Sequence, residues 1–136
     1  IDAGTEPFPF AADSGGRLYY QEKGNSANGG ALTGFLTTGY MDFSDGDKGM
    51  LLNQILPDFD DLEGGLTITA FARDNPNATP ISSGPHDINS ATNYIPLRLR
   101  GRSFQFKFEW NSAPSFFRLG AIRAEFRPIG QNRPGA

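Results

Sequence analysis

The chain has 136 residues, a formal net charge of -3 and no cysteine, a length that fits one domain able to bury a core without covalent staples. Lacking cysteine, it offers neither a disulfide framework nor a thiolate metal site, and no apolar run approaches the length of a membrane-spanning helix. With 17 Gly and 10 Pro, and 12 Phe against one Trp, the composition suits short strands and many turns, and the expected class is all-β: an antiparallel β-sandwich of jelly-roll-like character with long polar loops and an extended N-terminal arm.

Residues 1–33 are rich in Gly, Ala, Ser, Asn and Asp and are expected to form that arm, with only Arg17 to Gln21 patterned as a strand. Phe8 and Phe10, each preceded by a proline, are candidates to lie in a groove on a neighbouring subunit, because a proline-stiffened extended peptide loses little entropy on docking; packing on their own domain is the equal alternative. The opening Ile1, with no basic-then-apolar leader behind it, points to a piece of a longer protein. Residues 34–43 are the first long strand expected, closed by a turn at Asp45-Gly46. Residues 50–56 form a short apolar strand ended by Pro57, residues 58–65 an acidic turn, and residues 66–73 a strand with Leu66, Ile68, Ala70 and Ala72 on one face. Residues 74–93, polar and without periodicity, are expected to be a long loop.

The most strongly patterned stretch is 94–128, expected to be a long hairpin. Phe104, Phe106, Phe108 and Trp110 recur at every second position, and after a turn at 111–115 Ile122, Ala124 and Phe126 oppose Arg123, Glu125 and Arg127. Ile95, Leu97 and Leu99 alternate in the other parity, so the apolar phase slips by one residue before Phe104; Gly101 is the expected site, as a bulge with positive φ. The sandwich is thus expected over 34–128, followed by an unpatterned tail, 129–136.

Charge is unevenly spread. Residues 1–93 carry 13 Asp+Glu and 4 Lys+Arg, a net of -9, whereas residues 94–136 carry 2 and 8, a net of +6. Arg98, Arg100, Arg123 and Arg127 occupy outward strand positions and, with Phe8 and Phe10, form the candidate subunit interface, ahead of plain solubility and of nucleic acid. Arg102 lies beyond the phase slip. The acidic series Asp58, Asp60, Asp61 and Glu63 matches no standard calcium loop, nor does Asp42, Asp45, Asp47, and both are expected to be solvated turns. His86, the one histidine, lacks companions for a metal site or a nucleophile-elbow pattern for a triad. No catalytic, cofactor or metal site is expected, although a carboxylate pair of the glycosidase kind is defined by distance in the fold and not by spacing in sequence.

From Asp42 to Gly46, through Ile55-Leu56-Pro57-Asp58-Phe59 and Gly65-Leu66-Thr67-Ile68-Thr69 to Ala72-Arg73, then Leu97 to Arg102, Phe117 to Gly120 and Phe126-Arg127-Pro128, the order of features resembles a β-domain of virion structural proteins of tailed bacteriophages, notably the tail hub and nozzle proteins of short-tailed phages. The resemblance implies a non-enzymatic structural part of the virion tail, made in the host cytoplasm. It implies rings of copies, commonly sixfold, contacting neighbouring tail proteins around the channel through which DNA passes on ejection, without specific nucleic-acid binding. The rival expectation is a carbohydrate-binding β-sandwich module, for which Tyr19, Tyr20, Tyr40 and Trp110 are the available aromatics; a planar platform of exposed aromatics distinguishes it.

Overall fold

The alternation of apolar and polar residues is realised as strands throughout a computed structural model that describes residues 7–21, 23–43 and 48–131; among these no helix occurs. In chain order the strands are β1 (Phe10–Ala12), β2 (Leu18–Tyr20), β3 (Gly34–Thr37), β4 (Met41–Asp42), β5 (Lys48–Leu56), β6 (Phe59–Glu63), β7 (Leu66–Arg73), β8 (Ile81–Ile88), β9 (Ile95–Gly101), β10 (Ser103–Trp110), β11 (Phe116–Leu119) and β12 (Arg123–Gln131). One sheet has the order β3-β10-β7-β8, with β4 also on β10; a second has the order β12-β5-β9; β11-β6 and β1-β2 are two-stranded, and every pairing is antiparallel.

The core lies between the two larger sheets. From one side come Ile68, Ala70 and Ala72 of β7 and Phe104, Phe106 and Phe108 of β10; from the other come Leu52 and Ile55 of β5 and Ile95, Leu97 and Leu99 of β9, all buried. The register sets Phe104 beside Ala72 and Phe106 beside Ala70, so each large ring has a small neighbour in its own sheet and fills the space between the sheets. Full burial of such a ring is worth roughly 1.5–3 kcal/mol. Phe126 extends the core at one end, edge-on to Phe104 at 4.9 Å and stacked with Phe43 at 4.2 Å. At the other end Phe59 meets Phe108 and Phe117 edge-on, and Trp110 meets Phe117 at 5.0 Å.

The predicted hairpin over 94–128 does not form. The chain passes from one sheet to the other between β9 and β10, and it is there that burial changes parity, from Ile95, Leu97, Leu99 and Gly101 to Phe104, Phe106 and Phe108. A sharp corner is how a sandwich lets one continuous stretch serve both sheets. The corner is held by Arg102 N–H donating to the Arg73 carbonyl at 3.0 Å. Gly101 is not among the residues with positive φ. Space is what demands glycine: a Cβ would sit 2.8 Å from Ala72 Cβ and 3.1 Å from Arg73 N.

The predicted acidic turn at 58–65 is instead mostly strand. β6 continues β5 beyond Pro57, β11 leads into β12, and the two ladders are consecutive, Arg123 opposite Leu56 and then Leu119 opposite Phe59. Between them Gly120 N–H donates to the Asp58 carbonyl at 2.8 Å. The result is one long bent ribbon, with Phe59 and Leu62 turned toward the core. The predicted loop 74–93 contains β8, an edge strand paired to β7 and buried only at Ile88. An edge strand tolerates Gly84 and Pro85, because one side of its backbone has no ladder to complete.

The strand predicted over 34–43 is broken into β3 and β4. Thr38 bridges the gap to β10: its N–H donates to the Phe106 carbonyl at 2.9 Å and its Oγ1 accepts from Phe106 N–H at 3.0 Å. The Asp45-Gly46 turn lies outside the described residues. In the arm, β2 falls within the predicted 17–21 strand, and β1 returns on it with Phe10 opposite Tyr20. At the C-terminal end β12 runs on past Pro128 to Gln131; the rest of the predicted tail lies outside the described residues.

Candidate functional site

Because core residues occupy alternate positions, each sheet has an outer face whose composition packing does not decide. On the sheet of β5, β9 and β12 the ladder places Arg100 and Arg127 on either side of Leu51 in one row, while Arg98 lies next along β9. Arg98 and Arg127 line a shallow cleft of about 590 Å³ with Leu51, Asn53 and Pro96. Asn53 sits at the bulge of β5 between Leu52 and Gln54, and its buried Nδ2 donor has no hydrogen-bond partner. Arg123 lies on the same face at the Leu56 row.

The four arginines are not equivalent. Arg123 reaches Asp58 at 3.7 Å and Arg127 reaches Glu125 at 3.7 Å, whereas Arg98 and Arg100 are exposed and no carboxylate among the described residues lies within ion-pair distance of either. Arg102 does not join this face, being half-buried at the corner. Phe8 and Phe10 belong to the separate β1-β2 hairpin: Phe8 is half-buried with the Lys23 ammonium 5.7 Å from its ring, and Phe10 is 58% exposed beside Tyr20. The structure therefore groups Arg98, Arg100 and Arg127, sets Arg123 at the far end of the same face, and leaves Phe8 and Phe10 apart.

The acidic series lies along β6. Strand alternation and a positive φ at Asp61 send the carboxylates to different partners: Asp58 to Arg123, Asp61 to Arg118 at 3.3 Å, and Glu63 to the Asn25 amide at 2.6 Å. Among the described residues no group of acidic or histidine side chains is placed to hold a metal. His86 Nε2 lies 3.0 Å from Ser83 Oγ, but Asp87, next in the strand, lies on the other face of the sheet, so these three residues do not line up as a triad.

The outer face of the other sheet is different in kind. Phe35, Glu109, Thr67 and Asp87 form one row across β3, β10, β7 and β8. Together with Trp110 and Ser112 they line an open cleft of about 810 Å³. Asp87 and Glu109 are two strand spacings apart, about 10 Å between backbones, and Glu109 is ion-paired to Lys107 at 2.8 Å. The aromatics singled out from the sequence do not form a platform: Tyr19 and Tyr20 are on the arm hairpin, Tyr40 lies under the Arg73 guanidinium at 3.7 Å, and Trp110 packs on Phe117. The exposed ring on the sheet face is Phe35, 69% exposed. Sequence reasoning passed over it because Phe35 and Leu36 are adjacent apolar residues, and only the register on β10 tells which one faces out.

No protein-family model matches this chain, and no curated protein is significantly similar to it.

Proposed function

We propose that this chain is a structural module of a bacteriophage tail, of hub or nozzle type, which assembles with copies of itself and with neighbouring tail proteins around the DNA channel. The observation that carries the assembly reading is the donor set on the β9 side of the arginine face: Arg98 and Arg100, with no carboxylate in ion-pair reach among the described residues, beside the Asn53 amide whose buried Nδ2 has no hydrogen-bond partner. Guanidinium and amide donors in this arrangement fit carboxylates brought by another molecule. The phage assignment itself rests on the sequence resemblance.

Arg118 and Arg123 already meet Asp61 and Asp58 within the monomer, but Arg98, Arg100 and Asp60 have no such partner among the described residues. Leu51, in the row of Arg100, and Asp60 are nine residues apart along the β5-β6 ribbon, about 30 Å of chain at the rise of a strand. They do not neutralise one another inside one copy. Between copies they can, since a ring joins two different surfaces of the same chain at every interface. Desolvated pairs of this sort fix register and speed encounter more than they add bulk affinity.

Reversing both arginines, Arg98→Glu with Arg100→Glu, is expected to abolish ring assembly on size-exclusion chromatography while circular dichroism shows an unchanged fold. Normal assembly by the folded double variant sinks the interface. If the unmutated protein also binds DNA with an affinity that falls steeply with salt, the arginines belong to a phosphate-binding face instead.

A further inference from the structure

We propose that the cleft on the outer face of the β3-β10-β7-β8 sheet binds a neutral glycan chain. This does not rest on the assembly reading, since it concerns the opposite face and different residues. The row Phe35, Glu109, Thr67, Asp87 gives an extended polyhydroxylated ligand what it needs in the order it needs it. At one end the ring of Phe35, 69% exposed and with the Lys107 ammonium 5.4 Å from its centroid, offers an apolar surface for the C–H face of a pyranose. A hydroxyl and two carboxylates follow across the strands, each carboxylate able to accept from two adjacent sugar hydroxyls. Asn111 adds an amide at the rim, where the Ser112 hydroxyl is held by the Gly65 backbone. A cleft with an apolar surface and a few placed polar groups is a form that small-ligand sites take.

Other occupants fit less well. Protein interfaces are enriched in aromatic residues, which Phe35 and Trp110 would supply, but depleted in Asp, Glu and Ser, and Asp87, Glu109 and Ser112 all line this cleft. Nucleic acid is opposed by the balance of charge on this face, where Asp87 and Glu109 outnumber the one ammonium, Lys107, that is paired to Glu109, leaving a net negative site that repels phosphate, and acidic sugars are opposed for the same reason. A metal ion is opposed by geometry, since among the described residues no third ligand joins Asp87 and Glu109 and Glu109 is already held by Lys107 at 2.8 Å. That ion pair also fixes the Glu109 carboxylate on the face. Glu109 thereby becomes a positioned acceptor for sugar hydroxyls.

The chain contains one tryptophan, and it lines this cleft, so its emission reports occupancy. The test titrates the intact chain with cellohexaose, maltohexaose and chitohexaose, with trigalacturonate as the acidic comparator. Tryptophan emission is followed together with the amide resonances of Thr67, Asp87 and Glu109. At least one neutral hexasaccharide is expected to saturate with a Kd of about 1 mM or tighter. Phe35→Ala and Asp87→Ala are each expected to weaken it about tenfold, the equivalent of about 1.4 kcal/mol, with circular dichroism unchanged, and trigalacturonate is expected not to bind. The inference is overturned by any one of three results: no saturable response to all three neutral sugars up to about 20 mM, a concentration at which even a weak millimolar site is largely filled, binding that survives both substitutions, or trigalacturonate binding as well as the neutral sugars.

Discussion

Turned outward from the β5-β9-β12 sheet are Arg98, Arg100, Arg123 and Arg127, while the β3-β7-β8-β10 sheet presents Thr67, Thr69, Gln105, Lys107, Asp87 and Glu109 with the exposed ring of Phe35. The inner faces of the same strands are interchangeable in character, Leu, Ile and Phe on both, because one requirement, exclusion of water from a shared core, acts on all of them. Nothing about packing requires the outer faces to differ. One is supplied with donors left partly unpaired among the described residues; the other is supplied mainly with acceptors and hydroxyls, its one ammonium, Lys107, being paired to Glu109. Chemistry that folding does not demand is where a functional reading of a β-sandwich has to begin.

The two faces exist as separate surfaces because the chain changes sheets at Gly101, and the largest effect is expected from blocking that corner. In Gly101→Val the added atoms meet Ala72 Cβ and the Arg73 backbone, neither of which can swing aside. A loss of about 2–3 kcal/mol is expected, in the range of overpacked cores, read as a fall in thermal midpoint of roughly 8 °C or more. Gly120→Ala is the measure for comparison. Its Cβ would lie 2.9 Å from the Asp58 carbonyl oxygen, at the joint of the ribbon and away from the core, and a smaller loss of about 1 kcal/mol is expected. Equal midpoints would show that the corner is no more constrained than the joint.

How legible this was in the sequence depended on which residues had to be regular. Where a strand has one buried face, as with Leu66, Ile68, Ala70 and Ala72 or with Phe104, Phe106 and Phe108, periodicity alone located it, and the phase slip before Phe104 marked the corner. Periodicity says that a strand has a buried side and is silent on its neighbour. The hairpin expected over 94–128 failed for that reason, its halves pairing with β7 and β5. β8 escaped notice because an edge strand with one buried residue has no reason to alternate, and β6 because a bulge at Asp61 breaks the alternation of Phe59 and Leu62. For the candidate sites, outward arginines could be assigned from parity, but their grouping with Asn53, and the cleft joining Phe35 to Asp87, depend on cross-strand register, which the sequence does not state.

A smaller effect divides the arginine face itself. Arg123→Ala and Arg127→Ala each remove a guanidinium already 3.7 Å from a carboxylate of its own chain, both partners substantially exposed. Surface pairs of this kind contribute about 0–1 kcal/mol, so thermal midpoints should barely move and assembly should weaken less than with Arg98→Ala or Arg100→Ala. Analytical ultracentrifugation across the four single variants gives the ranking. A stronger loss at Arg123 or Arg127 would move the centre of the contact from the β9 edge to the β12 edge.

The smallest effect is expected from metal removal, and it decides whether the acidic end of the ribbon is available to answer the arginines. Calcium takes six to eight oxygen ligands from a converging set, and such convergence would hold Asp58, Asp60, Asp61 and Glu63 together. Along β6 they diverge: Asp58 turns to Arg123, Asp61 to Arg118 and Glu63 to Asn25. Asp60 has no ion-pair partner among the described residues and is exposed, so it is the carboxylate most free to meet another copy. Adding EDTA should leave the thermal midpoint unchanged, and added calcium should neither raise it nor alter assembly. A midpoint that falls with chelator would mean that these side chains gather round an ion, and a neutralised acidic strand could no longer serve as the counter-surface for Arg98 and Arg100.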